Sequence, residues 1–170
     1  MRVSSGGYVL AGAMLLLSQV PAATRVATPC ADERSHQFDF WVGELNVFAG
    51  DKQAGTNSIT PILDGCVLQE KWVGSQGSAG TSLNFFNPST GKWHQFWVWR
   101  NGTTLDLSGG FHDGKMILSG DSPGRDGKGA RDRITWSSKE DGTIRQHWEE
   151  SADAGKTWHT VFDGLYRRKH

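Results

Sequence analysis

From Phe38 onward the chain is a succession of short runs in which apolar and polar residues alternate, each ended by Gly, Asn, Asp or Pro. Period-two alternation marks a half-buried strand, because successive side chains point to opposite faces. The runs predict strands at residues 39–49, 55–63, 66–73, 79–87, 92–100, 103–109, 114–120, 130–138, 143–151 and 157–167. Most of the intervening segments are hairpin-sized, and Asn101-Gly102 and Asp113-Gly114 are strong two-residue turn signals. No stretch carries a competing helical apolar period, and no block repeats at fixed spacing, which argues against a propeller. About ten antiparallel strands in one small domain must dispose of their edges. Closure into an up-and-down barrel does so and encloses space, so the expected fold is an all-β antiparallel barrel. A two-sheet β-sandwich is the alternative.

Two segments precede this domain, which runs over residues 38–170. Residues 1–23 have the make-up of a secretory signal peptide: Arg2, the apolar run YVLAGAMLLLSQV from Tyr8 to Val20, then PAAT with small residues suited to cleavage after Ala22 or Ala23. The run is shorter than the roughly 20 apolar residues a membrane span needs, so no stable span is expected once the signal is removed. Residues 24–37 form a polar, irregular lead-in with one short helical turn around Asp32–Gln37. The expected location is therefore exported, periplasmic or extracellular. Two cysteines, Cys30 and Cys66, remain beyond the signal, and in an exported chain an even pair suggests a disulfide. Closing a loop of that length contributes about 3–4 kcal/mol in the chain-entropy picture. Two buried free thiols are the competing reading.

Charge narrows the partners. Eighteen Lys and Arg balance eighteen Asp and Glu, so nothing points to nucleic acid or to an anionic membrane surface. The basic run RRKH at the C-terminus reads as a solvated tail.

Candidate chemistry lies with the tryptophans. Three strands place a polar side chain two residues before a Trp: Glu70 and Trp72 in LQEKW, Gln95 and Trp97 in HQFWVW, Gln146 and Trp148 in RQHWEE. Each pair shares one face of its strand. Trp93 and Trp99 extend the face of Gln95, and Cys66 and Leu68 extend that of Glu70, so these faces are expected to point inward. Interior polar groups must find partners. They form either a self-satisfied network in a Trp-rich core or the fixed polar groups of an aromatic-walled pocket. Glu70 is the sharpest of them, because an inward carboxylate pairs, shifts its pKa or meets a ligand. Arg145, His147 and Glu149 occupy the opposite face of their strand and read as a solvated outer face.

Other chemistries lack support. The six histidines show no ligand spacing, and DSPGRDGKGARD lacks the regular spacing and terminal Glu of a calcium loop, so neither metal nor cofactor is expected. G-x-S-x-G and S-x-x-K motifs are absent, and the adjacent Glu149 and Glu150 face opposite ways.

Three resemblances bear on the fold. SADAGKTW, with Ser151, Asp153, Gly155 and Trp158, resembles the Asp-box of sialidases and other glycan-active β-propellers. There the motif repeats blade after blade, well away from the catalytic residues. A single copy between the last two strands reads as a hairpin clamp that closes the barrel, with Ser151 and Asp153 bonding turn amides and Gly155 at positive φ. The run FDFWVGELNV resembles the Gly-x-Trp opening of calycin barrels such as lipocalins and fatty-acid-binding proteins, with Leu45 at the Trp position and Trp41 nearby. In lipocalins a basic residue on the last strand covers that Trp, a part the resemblance gives to Arg167 or Arg168. FDFWVGE with GCVLQEKW, WHQFWV, RITW and SADAGKTW is similar to a family of exported bacterial proteins of unknown function with a lipocalin-like fold, over Cys30 to Arg167.

The leading expectation is an exported barrel that binds a small, partly apolar molecule, with Trp72, Trp97 and Trp148 as stacking surfaces and Glu70, Gln95 and Gln146 orienting it. The second is an enzyme acting on a small or glycan-derived substrate with Glu70 as general base. The third is a structural or interaction protein of the cell envelope with a filled core.

Overall fold

The computed structural model describes residue 1, residues 30–124 and residues 127–169. The expected signal peptide beyond Met1 and the first part of the lead-in lie outside the described residues. Among the described residues there are ten strands: β1 (Gly43–Ala49), β2 (Lys52–Ile62), β3 (Val67–Gly74), β4 (Ala79–Asn87), β5 (Lys92–Trp99), β6 (Thr104–His112), β7 (Lys115–Ser122), β8 (Ala130–Ser138), β9 (Ile144–Ser151) and β10 (His159–Arg168). Each pairs antiparallel with the next, and β10 pairs with β1. The sheet is thus a closed up-and-down barrel, and the sandwich alternative is set aside.

The alternation that predicted the strands is the alternation of burial. On β2 the buried positions are Gly55, Asn57 and Ile59; on β4 they are Ser82, Asn84 and Phe86. β4 and β8 match the pattern at both ends, the other strands shift by up to four residues at an end, and the largest shift is at the start. The sequence predicts a strand from residue 39, but Asp39–Trp41 is a short 3-10 helix and β1 begins at Gly43. Phe38 and Trp41, three apart, would face opposite ways on a strand, whereas a 3-10 turn stacks them on one side. Both are fully buried there, with ring centroids 4.8 Å apart and nearly parallel. Gly43, at φ +137°, then redirects the chain into the sheet, a conformation an L side chain rarely adopts.

This lead-in closes one end of the barrel. The Phe38 ring also meets the edges of Trp93 and Trp136, at 5.7 and 5.2 Å. The Trp93 indole N–H donates to the Arg34 carbonyl at 3.1 Å. A second 3-10 helix, Glu33–His36, starts at Asp32, whose carboxylate accepts the Arg34 amide at 2.9 Å. The Cys30–Cys66 disulfide fastens the lead-in to the β2–β3 turn. Arg168 donates to the carbonyls of Phe40 and Val42, on either side of Trp41, whereas Arg167 lies outside over the Phe48 ring. Leu45, fully buried, fills the position of the expected Trp.

Opposite, the β1–β2, β3–β4, β5–β6, β7–β8 and β9–β10 connections form an end without such a plug among the described residues. The 151–158 turn belongs to this end. Ser151 Oγ accepts from the Gly155 amide at 2.8 Å, and Asp153 accepts the amides of Lys156 and Thr157 at 3.0 and 2.8 Å. Gly155 sits at φ +91°, and the Trp158 indole donates to its carbonyl at 3.0 Å. These bonds, the Thr157 hydroxyl first among them, hold the Asp153 carboxyl down at about 2. The turn pins one hairpin; closure itself is made by β10 pairing with β1.

Candidate functional site

Above the aromatic plug the barrel holds a cavity of about 670 Å³. Its wall contains Glu70 and Trp72 from β3, Gln95 and Trp97 from β5, and Gln146 and Trp148 from β9. All six side chains singled out by their spacing therefore meet at one space, and Trp99 joins them. The exposed Lys52, Gln53 and Gln76 are part of the wall at its solvent end.

The tryptophans line this space without filling it because their neighbours are small. A Cβ on Gly80 would stand 2.3 Å from the Trp97 ring, and one on Gly55 2.8 Å from the Trp72 ring. The missing side chains let both rings lie close to the sheet. Trp97 packs edge-on to Trp99, with ring centroids 5.5 Å apart, and Trp99 lies 6.2 Å from Trp148. The Trp148 indole donates to the buried Asp132 carboxylate, which fixes that ring's orientation.

The polar groups form a directed chain. Asn84 donates to the Leu68 backbone carbonyl at 3.0 Å, and a carbonyl only accepts, so the Asn84 NH2 group is fixed on that side. The same NH2 donates to Ser82 Oγ at 2.8 Å, which leaves the Ser82 hydrogen for Glu70 Oε2 at 2.6 Å. The Asn84 oxygen in turn accepts from Gln95 Nε2 at 2.8 Å. On the other side Asn57 Nδ2 donates to Glu70 Oε1 at 2.7 Å. Hydrogen bonds from β2, β4 and β5 thus all run toward one carboxylate.

Glu70 is only 4% exposed, and among the described residues no Lys, Arg or His forms an ion pair with it. Burial pushes its pKa up to about 7, against the opposing hydrogen bonds from Ser82 and Asn57. At neutral pH the carboxyl is divided between its charged and neutral forms. Tyr166 donates its hydroxyl hydrogen to Gln146 Oε1. Burial first, and the nearby Glu70 charge second, hold that phenol well above its ordinary pKa, so it stays neutral. Arg145, His147 and Glu149 face outward as expected. Arg145 binds Asp163 through two 2.7 Å bonds, Arg133 pairs with Glu149 at 2.9 Å, and His147 meets Thr160 at 3.0 Å. Among the described residues no three His, Cys, Asp or Glu side chains converge as a metal ion requires.

Several residues of the wall and of the hydrogen-bond chain behind it were missed by the sequence reading. Asn57, Ser82 and Asn84 occupy inward positions of β2 and β4, strands without a Trp to draw attention to their faces. Tyr166 carries the same alternating signal on β10 and was within reach of it. Val161 and Phe162 were not. The register of β10 on β9 slips between Thr160 and Phe162, and at this bulge two consecutive side chains both line the cavity.

Neither a protein-family model nor a curated protein matches the chain.

Proposed function

We propose that the protein is exported and that its barrel binds a small, partly apolar molecule in the cavity. The observation that carries this reading is the convergence of Glu70, Trp72, Gln95, Trp97, Gln146 and Trp148 on one space of about 670 Å³. Aromatic walls with a few fixed polar groups are the usual make-up of a small-molecule site, and the volume suits a molecule of drug-like size. The rings supply stacking area, and the amides and carboxyl orient the ligand. The disulfide and the resemblance to exported proteins with lipocalin-like barrels support the location.

Native mass spectrometry of the protein purified from its own host tests the reading. A bound small molecule released on collisional activation is the expected result, and Trp72→Ala with Trp97→Ala abolishes it. A wild-type protein that carries no added mass, and gains none from a host extract, would rule the reading out.

A second reading rests on Glu70 alone. A buried carboxyl with a pKa near 7 at the wall of a cavity is matched to general-base work at neutral pH. Glu70→Gln separates the two readings, since a binder still takes up a ligand in its cavity, more weakly where Glu70 meets the ligand's charge, while an acid–base enzyme binds its substrate and loses turnover.

A further inference from the structure

The Glu70 carboxylate is buried, faces a cavity, and has no cationic partner among the described residues. Buried carboxylates are ordinarily paired, because an isolated buried charge is costly. Its neighbours cannot relieve this. Asn57 and Ser82 are neutral donors, and the Leu68 carbonyl fixes the direction of the chain from Gln95 through Asn84 to Ser82. That arrangement supports negative charge on Glu70 and supplies no positive charge to balance it.

Part of the remaining wall has the same bias. Gln95 donates one N–H to Asn84, and among the described residues no hydrogen bond engages its amide oxygen, which is free to accept. The faces of Trp72, Trp97 and Trp148 present negative quadrupole potential, and Trp is the strongest cation–π partner among the side chains. Lys52, the cationic residue of the wall, stands at the exposed solvent end, where water and salt screen it.

Building on the binding role proposed above, we infer that the ligand is an organic cation: a protonated amine, amidine or guanidinium on an apolar body. The charged group sits against the Glu70 carboxylate and completes a charge-assisted hydrogen bond, and the body lies among the tryptophan rings. An anionic ligand would meet Glu70 with like charge. A neutral ligand would leave the carboxylate as poorly balanced as before.

This ligand class carries a pH signature. The cation binds the charged form of Glu70, so binding below pH 7 proceeds as Glu70–COOH plus ligand cation giving the ion pair plus one released proton. Affinity rises with pH and levels off above about 7, and falls about tenfold for each unit below it, as the charged fraction falls. The groups facing Glu70 from the adjoining strands do not blur the profile. Asn57 on β2 and Ser82 on β4 do not titrate, and Tyr166 on β10 is held neutral. No described histidine belongs to the cavity wall. Asp132 on β8 stands behind Trp148 and is engaged by its indole.

Three matched probes test the inference by isothermal titration calorimetry: 2-(1-naphthyl)ethylamine, 2-(1-naphthyl)ethanol and 3-(1-naphthyl)propionate. At pH 8 the amine is expected to bind at least tenfold more tightly than the alcohol, and the propionate more weakly than either. Between pH 8 and 6 the amine should weaken about tenfold while the alcohol stays constant. At pH 6.5 the amine's binding heat should vary with the buffer's ionisation heat, as proton release requires. Glu70→Gln should remove the amine's advantage over the alcohol and its pH dependence. Alcohol binding equal to amine binding in the wild type, or an amine advantage that survives Glu70→Gln, overturns the cation assignment and leaves the binding role standing. Failure of all three probes to bind overturns both.

Discussion

The two ends of this barrel are built from the same residue types and do opposite things. At one end Phe38, Trp41, Trp93 and Trp136 close on one another and are all buried. At the other Trp72, Trp97, Trp99 and Trp148 stand around a cavity of about 670 Å³. Tryptophan content does not separate a core from a pocket here; the backbone that accompanies the rings does. The lead-in enters the closed end and supplies Phe38 and Trp41 to its centre, fastened by a disulfide and by Arg168. Around the cavity, glycines on neighbouring strands let the rings lie back against the sheet.

The contrast is broken most severely at its closed end. Trp41→Ala removes a fully buried ring from the plug and should destabilise the protein by about 3–5 kcal/mol in denaturant unfolding. Trp97→Ala, whose ring has the cavity beside it, should cost roughly 1–2 kcal/mol and act mainly on ligand binding. Equal losses from the two substitutions would mean that the two ends do not differ in packing as described.

Removing the disulfide comes next. Cys30→Ser with Cys66→Ser should lower stability by about 3–4 kcal/mol while probe binding at the open end persists. Loss of binding in a folded double variant would show that the ends are not separate in the way proposed.

The third prediction concerns Glu70 and pH. Its folded pKa of about 7 lies above the ordinary 4.5, so between those values the folded state holds the proton that the unfolded state has released. Stability from this group is complete below pH 4.5 and is lost as pH rises through 7, by about 3 kcal/mol. Urea unfolding at pH 5 and pH 8 reads the difference. In Glu70→Gln that component should vanish, and an unchanged pH slope would contradict the assignment. A further effect is that of Gly80→Ala. Its methyl group meets the Trp97 ring, costs about 1–3 kcal/mol and tilts the ring into the cavity, so that probe affinity falls more than stability does.

The strands and the face carrying the six site residues were legible in the sequence for one reason. Period-two alternation is a local property, and Glu70-x-Trp72, Gln95-x-Trp97 and Gln146-x-Trp148 each report which side chains share a face. That their three strands point at one space follows from barrel closure, which the strand count and turn spacing suggested. What stayed hidden depends on non-local geometry. The 3-10 turn at Asp39–Trp41 is explained by the aromatic pocket that receives Phe38 and Trp41, and the bulge beside Phe162 by its pairing with β9. The chain of donors ending on Glu70 joins residues from four strands, and no stretch of sequence contains more than two of its members.

The most direct test is titration with N-phenyl-1-naphthylamine, a neutral apolar fluorophore, monitored by energy transfer from the tryptophans. The account predicts saturable emission at one probe per protein, abolished by Ala54→Trp at the cavity wall and retained in the disulfide-free variant. Absence of saturable emission in the wild type, or emission undiminished by Ala54→Trp, would contradict it.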